Sequence, residues 1–329
     1  MKHIILTTAA LALLLASCKK KSEPEPEDPA PTTTAATTTG STTTGGVNTG
    51  PLNIYVIDTA KVNTISETGT GETTIINKTI NSSSYIMDFC PTMDGNKLVY
   101  GISQSNFSGP TPVYTKELRI ADKNGSNDAL LYAIPGGTTY IGCIKAGTNN
   151  KVYFTVQNFP NNTMYSVNTD GTGQAQVFQW SGMIDNISPN STYLMCPQST
   201  SNKVQIIDRT GDGGFGSLYH SEDLTASTIT NIGHGCFSYD SQKAFIPYNE
   251  SGTLKLRVID LASKSSSVKS IAPITVSFPQ IYARVGSDGD RIIVTVSENS
   301  SVSYIYKISA GTVTSFTNND KYVALVYPF

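Results

Sequence analysis

From residue 51 onward, apolar residues fall in short alternating runs, interrupted roughly every 8 to 12 positions by Gly, Asn, Asp, Ser or Pro. Alternation sends successive side chains to opposite faces of a strand, and no stretch holds a 3.6-residue period long enough for a convincing helix. The pattern predicts an all-β domain over residues 51–329. Two landmarks recur within it. The first is a polar turn followed by an apolar strand: Asp94-Gly95-Asn96-Lys97 before Leu98-Val99-Tyr100, Ser188-Pro189-Asn190-Ser191 before Tyr193-Leu194-Met195, Ser238-Tyr239-Asp240-Ser241 before Ala244-Phe245-Ile246, and Ser287-Asp288-Gly289-Asp290 before Ile292-Ile293. A looser copy, Thr148-Asn149-Asn150, precedes Val152-Tyr153-Phe154. Asp, Asn and Gly tolerate positive φ, so each copy predicts a hairpin joining antiparallel strands.

The second landmark is an alternating strand that ends in Asp, Asn or Ser. Its copies end at Asp58, Asp122, Asn168, Asp208, Asp260 and Ser309. The two landmarks alternate along the chain, and Asp170-Gly171-Thr172-Gly173 is the clearest turn following a third strand. Each unit therefore has four antiparallel strands in about 46 residues, the size of a propeller blade. These paired landmarks resemble the TolB-type propeller repeat, and the resemblance covers residues 51–329. It implies a β-propeller of six four-stranded blades. The chain opens on what reads as a third strand at Ile54 and ends on an isolated strand at residues 322–327. These are expected to pair and close the ring, which leaves no free edge.

The amino terminus follows a different pattern. Lys2 precedes an apolar run at residues 4–15, and Leu15-Ala16-Ser17-Cys18 follows. The run is short of the roughly 20 residues needed to span a bilayer, so residues 1–17 read as a cleaved signal peptide. Leu15 to Cys18 resembles the lipobox of bacterial lipoproteins. The resemblance implies lipid on Cys18 and a place in the cell envelope at the outer membrane, on its periplasmic side or at the cell surface. Residues 18–50 carry the lipidated cysteine and a Pro-, Thr- and Gly-rich tether with almost nothing to bury. As a flexible coil the tether would reach roughly 30 Å.

A net charge of −2 with 15% charged residues gives no basic stripe, which argues against a nucleic-acid partner. Four cysteines remain beyond Cys18. Cys90 and Cys236 share one repeat position on inner strands of opposite blades, too far apart to bridge, so buried thiols are expected at Cys90, Cys143, Cys196 and Cys236. No Gly-x-Ser-x-Gly elbow occurs. Asp208, Thr210 and Asp212 imitate the start of a calcium loop, but Tyr219 stands where a bidentate Glu is needed; Asp122 and Asn124 likewise meet Ala133. No catalytic residues, metal ligands or cofactor are assigned. His234, flanked by Gly233 and Gly235, is placed near the axial channel. Phe107, Tyr114, Phe159, Trp180 and Tyr248 are expected on the loop face around the channel mouth. The expected function is non-catalytic binding or scaffolding of an envelope protein, peptide or glycan. The alternative is an envelope lyase or hydrolase, metal-dependent or not, built on channel-facing Asp and His234.

Overall fold

The computed structural model describes residues 53–78, 84–106, 113–134, 140–158, 161–198, 201–209, 216–274, 280–286, 289–297, 302–317 and 322–327. The described residues are strands and turns, arranged as a six-bladed β-propeller. Numbering strands in chain order, blade 1 combines β25 (Tyr322–Tyr327) with β1 (Asn53–Asp58), β2 (Lys61–Ile65) and β3 (Thr73–Asn77). Blade 2 is β4 (Ser84–Pro91), β5 (Lys97–Asn106), β6 (Val113–Asp122) and β7 (Ala129–Ile134). Blade 3 is β8 (Tyr140–Ala146), β9 (Lys151–Asn158), β10 (Asn161–Asn168) and β11 (Ala175–Trp180). Blade 4 is β12 (Asn186–Ile187), β13 (Tyr193–Gln198), β14 (Lys203–Asp208) and β15 (Ser217–Asp223). In blade 5 the inner strand is split into β16 (Ile229–Ile232) and β17 (Cys236–Phe237), followed by β18 (Lys243–Glu250), β19 (Thr253–Asp260) and β20 (Ser266–Pro273). Blade 6 is β21 (Gln280–Val285), β22 (Arg291–Ser297), β23 (Val302–Lys307) and β24 (Thr312–Thr317).

The repeat signature has a direct physical cause in the turn between the first two strands of a blade. Thr92 Oγ1 donates to Asp94 Oδ1 at 2.5 Å and accepts the Lys97 amide at 3.1 Å. Ser188 does the same with Asn190 and Tyr193, at 2.7 and 2.9 Å, and Ser238 with Asp240 and Lys243, at 2.5 and 2.8 Å. The residue after the acid or amide takes positive φ in all five such turns: Gly95 (68°), Asn150 (57°), Ser191 (62°), Ser241 (60°) and Gly289 (69°). A hydroxyl and an acid two residues apart thus satisfy turn amides that no ladder reaches.

The ring closes through β25 against β1, with Ile54 opposite Val326 and Ile57 opposite Tyr322. β25 takes the innermost place of blade 1, so β1 is the second strand of its blade and not the third. The expectation fails because β1 ends in Asp58, as third strands do, yet turns at once through Thr59 (φ 56°) and Ala60 into the short, polar β2. The core lies between blades, not within one. Ile54, Val56 and Ile65 of blade 1 pack on Ile293, Ile305 and Phe316 of blade 6, and comparable layers join the other neighbours. Each buried aliphatic or aromatic side chain contributes about 1.5–3 kcal/mol, which makes adjacent blades mutually dependent.

Candidate functional site

The inner strands of all six blades run in the same direction around the axis, so the ring has two unlike ends. Where those strands begin, a cavity of about 400 Å³ opens. It is lined by Tyr85, Met87 and Asp88 of β4, by Tyr140, Cys143 and Lys145 of β8, by Met183 and Asp185 ahead of β12, by His234, and by Tyr282 and Arg284 of β21. Where the inner strands end, only about 60 Å³ remains, among Cys90, Met93, Ile187, Cys236, Phe237 and Tyr239. Lys145 and Arg284, from blades 3 and 6 on opposite sides of the ring, line both spaces and so mark the waist between them.

Irregular inner strands make the wide end. β4 shifts register between Ile86 and Asp88, and β8 shifts between Gly142 and Lys145, with Cys143 at φ 48°. The second bulge turns the Ile144 amide onto Asp88 Oδ2 at 2.8 Å, while Oδ1 accepts the Phe89 amide at 2.8 Å. Asp88 is therefore a staple from blade 2 to blade 3. In blade 5 the inner strand breaks at Gly233-His234-Gly235. His234 N donates to Ile281 O at 2.7 Å, and Ala283 N donates to His234 O at 2.8 Å, a short parallel bridge to blade 6. Both glycines are required by close approach: a Cβ on Gly233 would strike the Ile281 carbonyl, and one on Gly235 would lie 2.6 Å from Phe245 O.

Asp185 completes this arrangement from blade 4. Its side chain is 6% exposed; Oδ1 meets His234 Nδ1 in a short hydrogen bond, and Oδ2 accepts the Gly235 amide at 2.6 Å. Asn186 Nδ2 donates to Gly235 O at 2.9 Å. The His234 ring lies on Tyr282, with centroids 4.7 Å apart and planes 4° from parallel. Asp185 raises the His234 pKa above its ordinary value against the opposing effect of burial, and Arg284 lowers it more weakly. Burial pushes the Cys143 thiol well above its ordinary pKa, so it is no ready nucleophile. Burial likewise pushes Tyr140 up to about 12.

A second groove of about 280 Å³ continues from the same end between blades 4 and 5. It shares Met183 and His234 with the cavity and runs past Pro197, Gln198 and Lys203 on one side and Thr230, Asn231 and Ile232 on the other. The latter belong to β16, an edge strand whose one strand partner among the described residues is β18. Tyr85 (44%), Tyr140 (42%) and Met183 (42%) are exposed at the rim.

His234 is the candidate from the sequence that reaches this cavity. Trp180 is half-buried at the end of β11 and stacks on Phe178 at 5.9 Å. Tyr248 is 1% exposed, packed in the layer between blades 4 and 5 with Arg257 over its ring at 5.9 Å, and presents no surface to a ligand. Tyr114 lies on β6, its side chain outside the described residues, as are Cys18, Phe107 and Phe159. The residues that do meet, Asp88, Lys145, Asp185 and Arg284, had a sequence signal: each is a lone charge in or beside an apolar inner-strand segment. A charge in a stretch otherwise buried on both faces is costly unless it faces a cavity or a partner. Among the described residues no three His, Cys, Asp or Glu side chains converge in a metal-binding group.

No family model and no curated protein sequence matches this chain. Solved structures do. TolB from Acinetobacter baumannii is similar with a TM-score of 0.60 at 14% identity, over 84% of this chain and 67% of that one. A chain of a nidogen/laminin complex gives 0.56 at 11% identity over 84% and 97%. A Lactobacillus plantarum protein gives 0.52 at 12% over 84% and 98%. At these identities the likeness is one of fold: this chain shares the propeller architecture of TolB.

Proposed function

We propose that this protein is a lipid-anchored lipoprotein of the bacterial envelope whose propeller binds an extended peptide segment of a partner protein without transforming it. The observation that carries the binding reading is the continuous path from the channel mouth, past Met183 and His234, into the groove beside β16. An edge strand beside a groove offers main-chain pairing to an extended peptide, and the exposed tyrosines offer apolar faces next to it. The anchor rests on the apolar run and Leu15-Ala16-Ser17-Cys18. A short-chain glycan would use the mouth but not a strand edge, so the peptide is the better-supported ligand.

An array of random-sequence dodecapeptides probed with the full-length chain tests this. Saturable binding to a subset, weakened at least tenfold by Met183→Arg where the two spaces join, is the expected result. An empty array, or binding indifferent to Met183→Arg, contradicts it. For the anchor, an alkyne-tagged fatty acid fed to cells should label the wild-type chain and not Cys18→Ser; equal labelling of both removes the lipid assignment.

One observation favours an enzyme as a second reading. A buried carboxylate orienting an imidazole that faces a cavity is the arrangement of a general base, and Asp185–His234 has that form. The staple geometry accounts for both groups structurally, since Asp185 also holds Gly235 and His234 bridges to blade 6 by its main chain. Under this reading, His234→Gln abolishes turnover of whichever peptide binds; under the favoured one, bound peptides are recovered intact.

A further inference from the structure

Five acidic or basic side chains line the cavity: Asp88, Asp185, Lys145, His234 and Arg284. Asp88, a residue 5% exposed, has both carboxylate oxygens occupied by the Phe89 and Ile144 amides. Asp185 is held as tightly by His234 and Gly235. Both acids are thus turned into the wall as links between blades. His234 and Lys145 stand differently. His234 is 35% exposed at the side chain. Lys145 is half-buried, lines both the cavity and the space beyond the waist, and makes no ion pair among the described residues. Arg284 lines the same two spaces from the facing blade, is 7% exposed, donates to Ala283 O at 2.9 Å and lies 5.7 Å from the Tyr282 ring centroid. A ligand entering the mouth therefore meets positive charge at the bottom and aromatic surface at the rim.

We infer that the channel mouth is a carboxylate-binding site, with Lys145 as its principal cation and His234 and Arg284 beside it, so that the bound peptide enters by a free carboxyl terminus or an acidic side chain. This rests on the peptide reading above and specifies which end of the ligand goes in. A partly desolvated ammonium gains most from an anion brought to it in a narrow, low-dielectric space. Each oxygen of the two carboxylates already accepts one hydrogen bond, from a main-chain amide or the imidazole, and neither carboxylate pairs with Lys145, so the incoming carboxylate is its complement. A proton on His234 adds to the attraction. The groups facing that ring are Asp185, Tyr282, Arg284 and, farther off, Asp88, and their balance holds its pKa above the ordinary value. Binding should therefore tighten as pH falls through the His234 titration, until the ligand carboxylate itself protonates near pH 4.

The imidazole is its own reporter. The chain has three histidines, and His220, paired with Glu222, serves as an internal control for His234. The titration of both is followed by proton–carbon NMR on histidine-labelled full-length chain with N-acetyl-tetraglycine, its C-terminal amide, amidated N-acetyl-Gly-Gly-Asp-Gly, and succinate. The free acid is expected to move the His234 titration to higher pH and leave His220 alone, while the tetraglycine amide does neither. Lys145→Met should weaken that binding at least tenfold and Lys145→Arg should restore most of it, at unchanged melting temperature. A response to the aspartate peptide alone assigns the site to side-chain carboxylates, and one to the tetraglycine acid alone assigns it to a terminus. Equal binding of acid and tetraglycine amide overturns the carboxylate inference and leaves the peptide reading standing. A response to succinate with none to any peptide does the reverse. Silence from all four probes, or a Lys145→Met chain that binds like wild type, overturns the inference.

Discussion

The two ends of the channel are made from the same six inner strands and have become opposites. At the end where the strands finish, Tyr239 Oη donates to Met93 O at 3.1 Å, joining the turns of blades 5 and 2 across the ring. Cys90, Cys236, Ile187 and Phe237 fill the space behind it. At the end where the strands begin, the register shifts of β4 and β8 and the broken strand of blade 5 surround about 400 Å³. Toward their ends the inner strands run into tight turns, three of them hydroxyl-capped, and converge on the axis; at their starts they are irregular, stapled by Asp88, Asp185 and His234, and stand apart. The inner strands leave the wider space where their ladders are interrupted, so under the binding proposal the bulges and the split strand serve function as well as fold.

If the open end is maintained by its staples, the largest effect belongs to Asp185→Ala. It leaves the Gly235 amide and the His234 ring without their acceptor and should cost about 3 kcal/mol of stability. Urea unfolding monitored by circular dichroism measures this, and a cost under about 1 kcal/mol would make the pair dispensable. At the sealed end, Tyr239→Phe removes one neutral hydrogen bond and should cost about 1 kcal/mol, with peptide binding unaffected. A loss of binding in that variant would mean that the two ends are coupled.

A smaller, pH-dependent effect follows from His234. Its pKa is raised in the folded chain, so its pairing stabilises the fold fully below the ordinary value of 6.5, and the contribution fades as pH rises through the raised value. His234→Gln should accordingly be less stable than wild type at pH 5.5 and approach it at alkaline pH. A difference that grows with pH contradicts the sign. The smallest effect concerns the sealed end alone. Burial pushes the Cys90 and Cys236 thiols up to about 12, so neither should react with iodoacetamide at pH 7.5 until urea unfolds the chain. Mass spectrometry of the alkylated peptides reads this, and labelling in the folded state would show the seal to be open.

The turns of the sealed end were read from the sequence; the wall of the open end was not, although its lone charges left a signal there. All five hairpin turns were found because an acid or amide followed by a positive-φ residue is a local requirement, visible within a few positions; in three of them a hydroxyl two residues earlier adds to it. The free state of Cys90 and Cys236 followed from repeat position alone. Ring closure was also readable, since a strand without its own turn, at residues 322–327, needed a partner. The open end depends on what neighbouring blades do to each other. Asp88 acts through the Ile144 amide and Asp185 through Gly235, contacts that span 56 and 50 residues of sequence. Tyr248 illustrates the converse: an aromatic near the end of β18 reads as loop-face decoration, but the closeness of blade 4 buries it. His234 came through because the repeat places it where an inner strand begins, beside the axis.

Hydrogen–deuterium exchange of the full-length chain, with and without a saturating array-selected peptide, tests the central claim most directly. Binding at the open end predicts added protection in residues 140–145, 183–186 and 229–235, with residues 92–96 and 238–242 at the sealed end unchanged. Protection confined to the sealed end, or to the outer strands β7, β15 and β20, would place the ligand elsewhere and contradict the account.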